Sequence, residues 1–379
     1  MTRSFSFPIL LISLLFVTIS LSALNTQTPL WLVREHFDVW KIGLVGSSYF
    51  VGNLVGTFVA NWFVAKINAK KTYCYTCLLF AVSTLGMSIS MDLYSWSFCR
   101  FLIGIACAIT WVIVESCILV TSKANNRSKM LAVYMTTYYL GTVMGQGLLR
   151  FFPTQVVHFG LVVTMLMALA ILFILLTHYH LPHKKKKAFD MMSMIFHRQA
   201  RLGLVGCIIA GMIIGGIYSL MPVYYAKLGF NDEDVANWMI VIITSGLLAQ
   251  IPAGYFADKY GRSRVLVIET FIFMLACVML IIGIFPVIAA IIMGATIYTV
   301  YPLAMAWACS TVNKQEIILM NQAMLFVNTL GSLVAPAIIS FFMTEYGNNS
   351  LFVCFILIAL LFAVLLMLSA RVKRPALSH

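Results

Sequence analysis

Charge is what this chain has least of. Only 10% of its 379 residues are Asp, Glu, Lys or Arg, while 62% are hydrophobic; a soluble domain carries about 25% charged residues. That shortage excludes an ordinary soluble domain and makes this an integral membrane protein. Acidic residues are rarer still, with 12 Asp and Glu against 25 Lys and Arg. Alternating strand-type patterning is missing, which excludes a transmembrane β-barrel. No G-x-x-x-x-G-K-S/T loop occurs, so ATP is not the direct energy source. The seven histidines are scattered, without the face-clustered His, Asp or Ser of a polytopic membrane enzyme. No cofactor and no metal are expected.

What the chain does have is apolar runs long enough to cross about 30 Å of hydrocarbon. Twelve are read, at 7–33, 42–65, 72–90, 96–120, 130–150, 157–179, 202–226, 235–257, 265–283, 286–309, 319–343 and 351–370. With both termini in the cytoplasm, 20 of the 25 Lys and Arg fall inside. Arg34, Lys41, Arg150 and Lys227 remain outside, and Arg100 lies in or near a span. This obeys the positive-inside rule, so the net charge of +13 reports topology and not a nucleic-acid partner. Arg3 before the first run raises the alternative of a cleaved leader, but the run exceeds a signal core. Cys74 and Cys77 form a C-x-x-C pair with no second pair or nearby His to complete a redox or metal site. They are read, with the other seven cysteines, as small buried hydrophobes.

The two halves of the chain can be laid over each other. Pro29 matches Pro222, and Asn61 to Lys71 matches the segment beginning at Gly254, both at an offset of 193. Gly104 matches Gly294, Trp111 matches Tyr301, and Leu140-Gly141-Thr142 matches Leu330-Gly331-Ser332, at an offset of 190. Three regions follow: a six-span bundle over 1–179, a basic cytoplasmic linker over 180–201, and a second six-span bundle over 202–379. The linker carries Lys184 to Lys187, a solvated run suited to anionic lipid headgroups. His178, His180 and His183 beside it are read as part of the same solvated segment.

The most specific motif is Gly254-Tyr-Phe-Ala-Asp258-Lys259-Tyr-Gly261-Arg262-Ser-Arg264. It resembles the cytoplasmic loop signature of the major facilitator superfamily, found between the second and third helix of each six-helix half. Gly254 suits a close helix approach and Gly261 a tight turn. Lys259, Arg262 and Arg264 suit the cytoplasmic face, and Asp258 suits the N-terminal end of a neighbouring helix. The resemblance implies twelve transmembrane helices as two pseudo-symmetric bundles. It also implies a loop that latches the halves on the cytoplasmic side. The first-half copy has Asn61, Ala65 and Asn68 where the family has Gly, an acid and Gly. The latch is therefore expected to be one-sided, with Asp258 facing the region of Lys129 and Met130. On that reading Asp258→Asn shifts the resting balance toward the inward-facing state.

The same resemblance implies that spans 1, 4, 7 and 10 line a central cavity. Arg100-Phe-Leu-Ile-Gly104 is similar to the family's R-x-x-x-G signature, whose arginine is associated with proton handling or substrate charge. The bland alternative for Arg100 is snorkelling to headgroups. Glu115 shares a helix face with Trp111 and stands about 22 Å along the span from Arg100, too far to pair. An ionisable residue in a span is a functional candidate by default; Glu115 is read either as a proton carrier or as part of a loop charge network. Glu269 is expected to partner Arg262 or Arg264. Further candidates for the pathway are Asn25, Gln27, Tyr138, Tyr218, Tyr298 and Tyr301, a polar and aromatic set suited to a small amphipathic molecule. Gly141-x-x-x-Gly145-Gln146-Gly147 is similar to an antiporter glycine signature, and equally serves helix packing. Asn25 to Trp31, Ser47 to Phe50, Trp111-x-x-x-Glu115-Ser116 and Tyr301 to Cys309 look like the YcaD branch of bacterial inner-membrane transporters. The implied protein is a monomeric, proton-coupled carrier working by alternating access, and not an enzyme. The alternatives are an uncoupled uniporter and, behind it, a membrane enzyme.

Overall fold

A computed structural model describes residues 6–89, 92–121, 127–149, 155–176, 190–312 and 316–372. Among them every regular element is helical. The long helices are α1 (Ser6–Arg34), α2 (Val39–Ile67), α3 (Ala69–Gly86), α4 (Leu93–Thr121), α5 (Arg127–Leu148), α6 (Val156–Leu175), α8 (Arg201–Lys227), α9 (Asp232–Tyr260), α10 (Arg262–Ile282), α11 (Pro286–Cys309), α12 (Ile317–Tyr346) and α13 (Ser350–Val372). A short α7 (Asp190–Ile195) and a 3-10 turn at Arg198–Ala200 precede α8. Ten of the described helices are long and apolar enough to cross a membrane. The remaining two of the twelve expected spans are α3 and α5. Each starts on a basic pair, Lys70 with Lys71 and Arg127 with Lys129, and carries several Thr and Tyr.

Two compact units form. One comprises Met1–Lys187 with Tyr225–Ile240; the other comprises Ala188–Tyr224 with Val241–His379. The end of α8 and the start of α9 thus group with the first unit. Lys184 to Lys187 and His178, His180 and His183 lie outside the described residues.

Each unit is held by helices touching at backbone level, and the contacts repeat. A Cβ on Gly104 of α4 would lie 2.0 Å from the carbonyl oxygen of Tyr49 on α2; one on Gly294 of α11 would lie 2.0 Å from that of Ile242 on α9. Tyr49 and Ile242 are themselves 193 residues apart. The same holds for α1 with α5 and α8 with α12. Gly141 faces Thr18 and the Leu15 carbonyl, and Gly331 faces the Ile208 carbonyl, with Leu15 and Ile208 again 193 apart. Small residues at membrane interfaces allow this approach, since lipid offers no hydrophobic drive to bring helices together.

The joints between consecutive helices repeat too. A single residue separates α2 from α3, namely Asn68 at φ 91°, and a single residue separates α9 from α10, namely Gly261 at φ 92°. With ψ at 142° Asn68 lies outside the left-handed helical region, in backbone space that residues other than Gly seldom adopt. Here its Oδ1 accepts from the backbone N–H of Lys70 at 2.8 Å.

Candidate functional site

The site is built on the α2–α4 contact. Because Gly104 has no side chain, α4 settles onto the backbone of Tyr49, and Arg100, one turn earlier on the same face, comes to rest over the Tyr49 ring. Its Cζ is 4.9 Å from the ring centroid. From α1, Asn25 meets the guanidinium: Arg100 Nη2 donates to Asn25 Oδ1 at 2.7 Å. Arg100 is only 5% exposed, so its side chain is turned inward and does not snorkel. Its Nε and Nη1 have no hydrogen-bond partner, and no carboxylate pairs with it among the described residues. Arg100 lies in the first third of α4; an Arg costs about 2.5–3.5 kcal/mol at the centre of a span on insertion scales and less toward its ends. Neighbours that offer one acceptor and one ring face recover only part of that.

Farther along α4, Tyr134 of α5 donates its hydroxyl to Glu115 Oε1 at 3.3 Å. Trp111, one turn before Glu115, stands edge-on to Tyr138, with ring centroids 5.5 Å apart. The fifteen-position step from Arg100 to Glu115 keeps the two polar sites at different depths, about 22 Å apart.

The other candidates disperse. Gln27 is buried and turns away from Arg100; its Nε2 donates to Asp232 Oδ2 at 3.2 Å, a carboxylate also paired with Arg34. Tyr218 and Tyr298 meet edge to face at 6.3 Å in the second unit. Tyr301 packs against the apolar cluster of Leu204, Ala304 and Met324. Gln146 serves packing: its Nε2 donates to the Ser22 hydroxyl at 2.8 Å, and Thr26 donates to its Oε1 at 2.9 Å, clamping α5 to α1.

In the loop motif, Arg262 Nη1 donates to the Ala306 carbonyl of α11 at 2.8 Å. Asp258, largely exposed, lies 3.9 Å from the Arg262 guanidinium. Lys259 Nζ hovers over the Tyr255 and Tyr260 rings at 5.9 and 5.3 Å, and Arg264 is exposed. A Cβ on Gly254 would meet nothing within 4 Å, so close helix approach is not what that glycine does here. The side chain of Lys129, the partner expected for Asp258, lies outside what is described. Glu269 does not meet the loop arginines as expected. Its Oε2 has no hydrogen-bond partner, and the nearby Thr299 hydroxyl of α11 donates to the Thr296 carbonyl at 2.6 Å.

Tyr49 is the site residue that sequence reasoning missed: it stands in the Ser47 to Phe50 segment, but only the glycine facing it marks the ring as the seat of Arg100. Glu269 acquires a different meaning through the duplication: the 193 offset places it on Thr76, whose hydroxyl meets that of Thr110 at 2.9 Å. The duplication also supplies an internal control for the polar sites. The positions matching Asn25, Tyr49 and Arg100 hold Tyr218, Ile242 and Ala290; those matching Glu115 and Tyr134 hold Met305 and Met324. One half builds the same helix contacts without charge.

Comparison with known proteins decides the family. The sequence model of the Major Facilitator Superfamily matches residues 10–247 and 230–379. The chain belongs to the major facilitator superfamily. An uncharacterized MFS-type transporter of Yersinia pestis (strain Pestoides F) is 41% identical over 367 residues, covering 96% of each chain. The uncharacterized MFS-type transporter YcaD of Escherichia fergusonii is 36% identical over 372 residues, covering 98% of this chain and 97% of its own. Among solved structures, the nucleoside transporter NupG superposes with a TM-score of 0.82 at 14% identity, over 98% of this chain and 100% of its own. A bacterial homolog of the human lysosomal transporter Spinster, inward-facing and occupied, gives 0.80 at 13% identity, over 98% and 97%. These superfamily structures share the fold. With the helix lengths and composition, membership makes this a multi-pass membrane transporter.

Proposed function

We propose that this protein is a proton-coupled secondary transporter that moves a small amphipathic organic solute across the bacterial inner membrane by alternating access. On this reading it is a carrier and not an enzyme. It works as a monomer among membrane lipids, with both termini in the cytoplasm. Two six-helix halves, 1–179 and 202–379, are joined by the basic linker 180–201.

The observation that carries the reading is the pair Glu115 and Tyr134. A carboxyl group placed in a membrane helix and met by the Tyr134 phenol is suited to taking up and releasing a proton, and nothing in the fold requires it. The matching positions of the second half are Met305 and Met324. Trp111 and Tyr138 beside it supply ring surface for an apolar solute. The loop motif around Asp258 and Arg262 is assigned the latch between conformational states.

The test is transport in proteoliposomes under an imposed pH gradient. Wild-type protein should accumulate solute when the gradient is present and acidify or alkalinise the lumen in step. Glu115→Gln should lose gradient-driven accumulation, down to protein-free liposomes, yet keep solute exchange at equal pH. Accumulation that ignores the gradient would make the protein a uniporter and reject coupling.

A further inference from the structure

The guanidinium of Arg100 is charged, enclosed and short of acceptors. Asn25 takes one N–H at 2.7 Å and the Tyr49 ring covers one face at 4.9 Å. Nε and Nη1 have no partner, which leaves donors on both edges of the planar group. Gln27, two residues from Asn25, directs its amide to Asp232 instead. Glu115 is far along the same helix. The arrangement holds the guanidinium rigidly by its face and one nitrogen without neutralising it.

Packing does not explain why an arginine sits there. In the second half the equivalent glycine, Gly294, makes the equivalent backbone contact with Ile242. The residue one turn before it is Ala290, fully buried. The fold therefore closes this joint equally well with a methyl group. A buried charge retained without an internal counter-ion calls for one from outside the chain.

We infer that Arg100, seated on Tyr49 and held by Asn25, receives the carboxylate of the transported solute, which is a small organic acid. The planar donor fork matches a carboxylate in two-point geometry. Tyr49 and Asn25 fix its orientation beforehand, so little side-chain freedom is lost on binding. This deepens the transporter reading and rests on it. The unpartnered donors are closed off from solvent in the state seen here, and the acid reaches them in another state of the cycle.

The experiment uses the purified full-length protein and matched acid and amide probes: benzoate with benzamide, indole-3-acetate with indole-3-acetamide, and hexanoate with hexanamide. Thermal unfolding is followed with each probe for wild type, Arg100→Lys, Arg100→Met and Asn25→Ala. At least one acid should raise the unfolding temperature where its amide does not. Arg100→Met should abolish that shift, and Arg100→Lys should weaken binding about tenfold, because an ammonium is a point charge without the fork. Asn25→Ala should weaken it less. Without probe, Arg100→Met should unfold no earlier than wild type, as the Ala290 joint implies; a purely structural arginine would make it unfold earlier. If Arg100→Met does not fold, Arg100→Lys carries the test. Equal shifts from acid and amide, an acid shift that survives in Arg100→Met, or no acid shift at all would overturn the inference. Proteoliposome flux keeps the two readings apart. Saturable flux of neutral solutes that is untouched in Arg100→Lys defeats the acid site and leaves the transporter standing. Absence of any carrier-mediated flux defeats the transporter.

Discussion

Gly104 of α4 faces Tyr49 of α2 so closely that a Cβ would lie 2.0 Å from the Tyr49 carbonyl oxygen. That contact sets the height of Arg100 over the Tyr49 ring. Gly104→Ala must push two backbones apart, and overpacking of this kind costs about 1–3 kcal/mol. Gly147→Ala is the control, because a Cβ there meets nothing within 4 Å. Thermal unfolding in detergent should separate the two variants, with Gly147→Ala at or slightly above wild type. Equal behaviour would mean that the α2–α4 joint yields easily.

Glu269 invites the opposite experiment. One carboxyl oxygen, Oε2, lacks a partner, and the first half uses Thr76 with Thr110 at the matching joint. Glu269→Thr removes the unsatisfied oxygen and leaves a hydroxyl that can donate to its own helix backbone, as Thr270 does to Leu266. Val300 stands where the first half has Thr110. Relief of an unsatisfied buried group is worth about 1 kcal/mol or more, so the variant should unfold later than wild type. Earlier unfolding would show that the carboxyl contributes to holding α10 against α11.

The loop motif predicts an asymmetry between two partners of one ion pair. Arg262 also holds the Ala306 carbonyl, whereas Asp258 is largely exposed and 3.9 Å away from the guanidinium. Loss of the carbonyl bond in Arg262→Ala should cost about 1 kcal/mol. Asp258→Asn should change stability by no more than about 0.5 kcal/mol. Unfolding measurements check the order; a larger loss from Asp258→Asn would place a stronger partner on that carboxylate.

A pH effect is expected at the start of α2. Lys41 Nζ donates to Asp38 Oδ2 at 2.8 Å, and this contact holds the Asp38 carboxyl below its usual range, with Lys227 adding a smaller pull. A carboxyl depressed in the folded state stabilises it at pH above the ordinary Asp range, and that contribution fades as pH falls through the folded value. The group is fully exposed, so the effect is small. Unfolding temperatures of wild type and Asp38→Asn should differ slightly near neutral pH and converge in acid. A gap that widens in acid would reverse the sign.

Much of this protein was readable from its residues in order. Scarce charge and repeated apolar runs are one-dimensional properties, because a bilayer judges each span by length and composition. The duplication was legible for the same reason: paired glycines and prolines recur at offsets of 193 and 190. The turn at Gly261 followed from a residue that tolerates φ 92°.

The sites were another matter, because they depend on which faces meet. Sequence marked Arg100 and Gly104 on one helix, but not that Gly104 would bring the Tyr49 ring beneath Arg100, nor that Asn25 would take the guanidinium while Gln27 turned to Asp232. It placed Glu269 near the loop arginines by chain distance, and the fold leaves one oxygen of that carboxyl without a partner instead. The segment holding Gln146 reads in sequence either as an antiporter signature or as helix packing, and in the fold Gln146 clamps α5 to α1. Composition and order alone determined that this chain is a twelve-helix membrane protein of duplicated design. Only the tertiary structure decided which charges are left without partners, because a neighbour 75 residues away is set by helix packing and by no local rule.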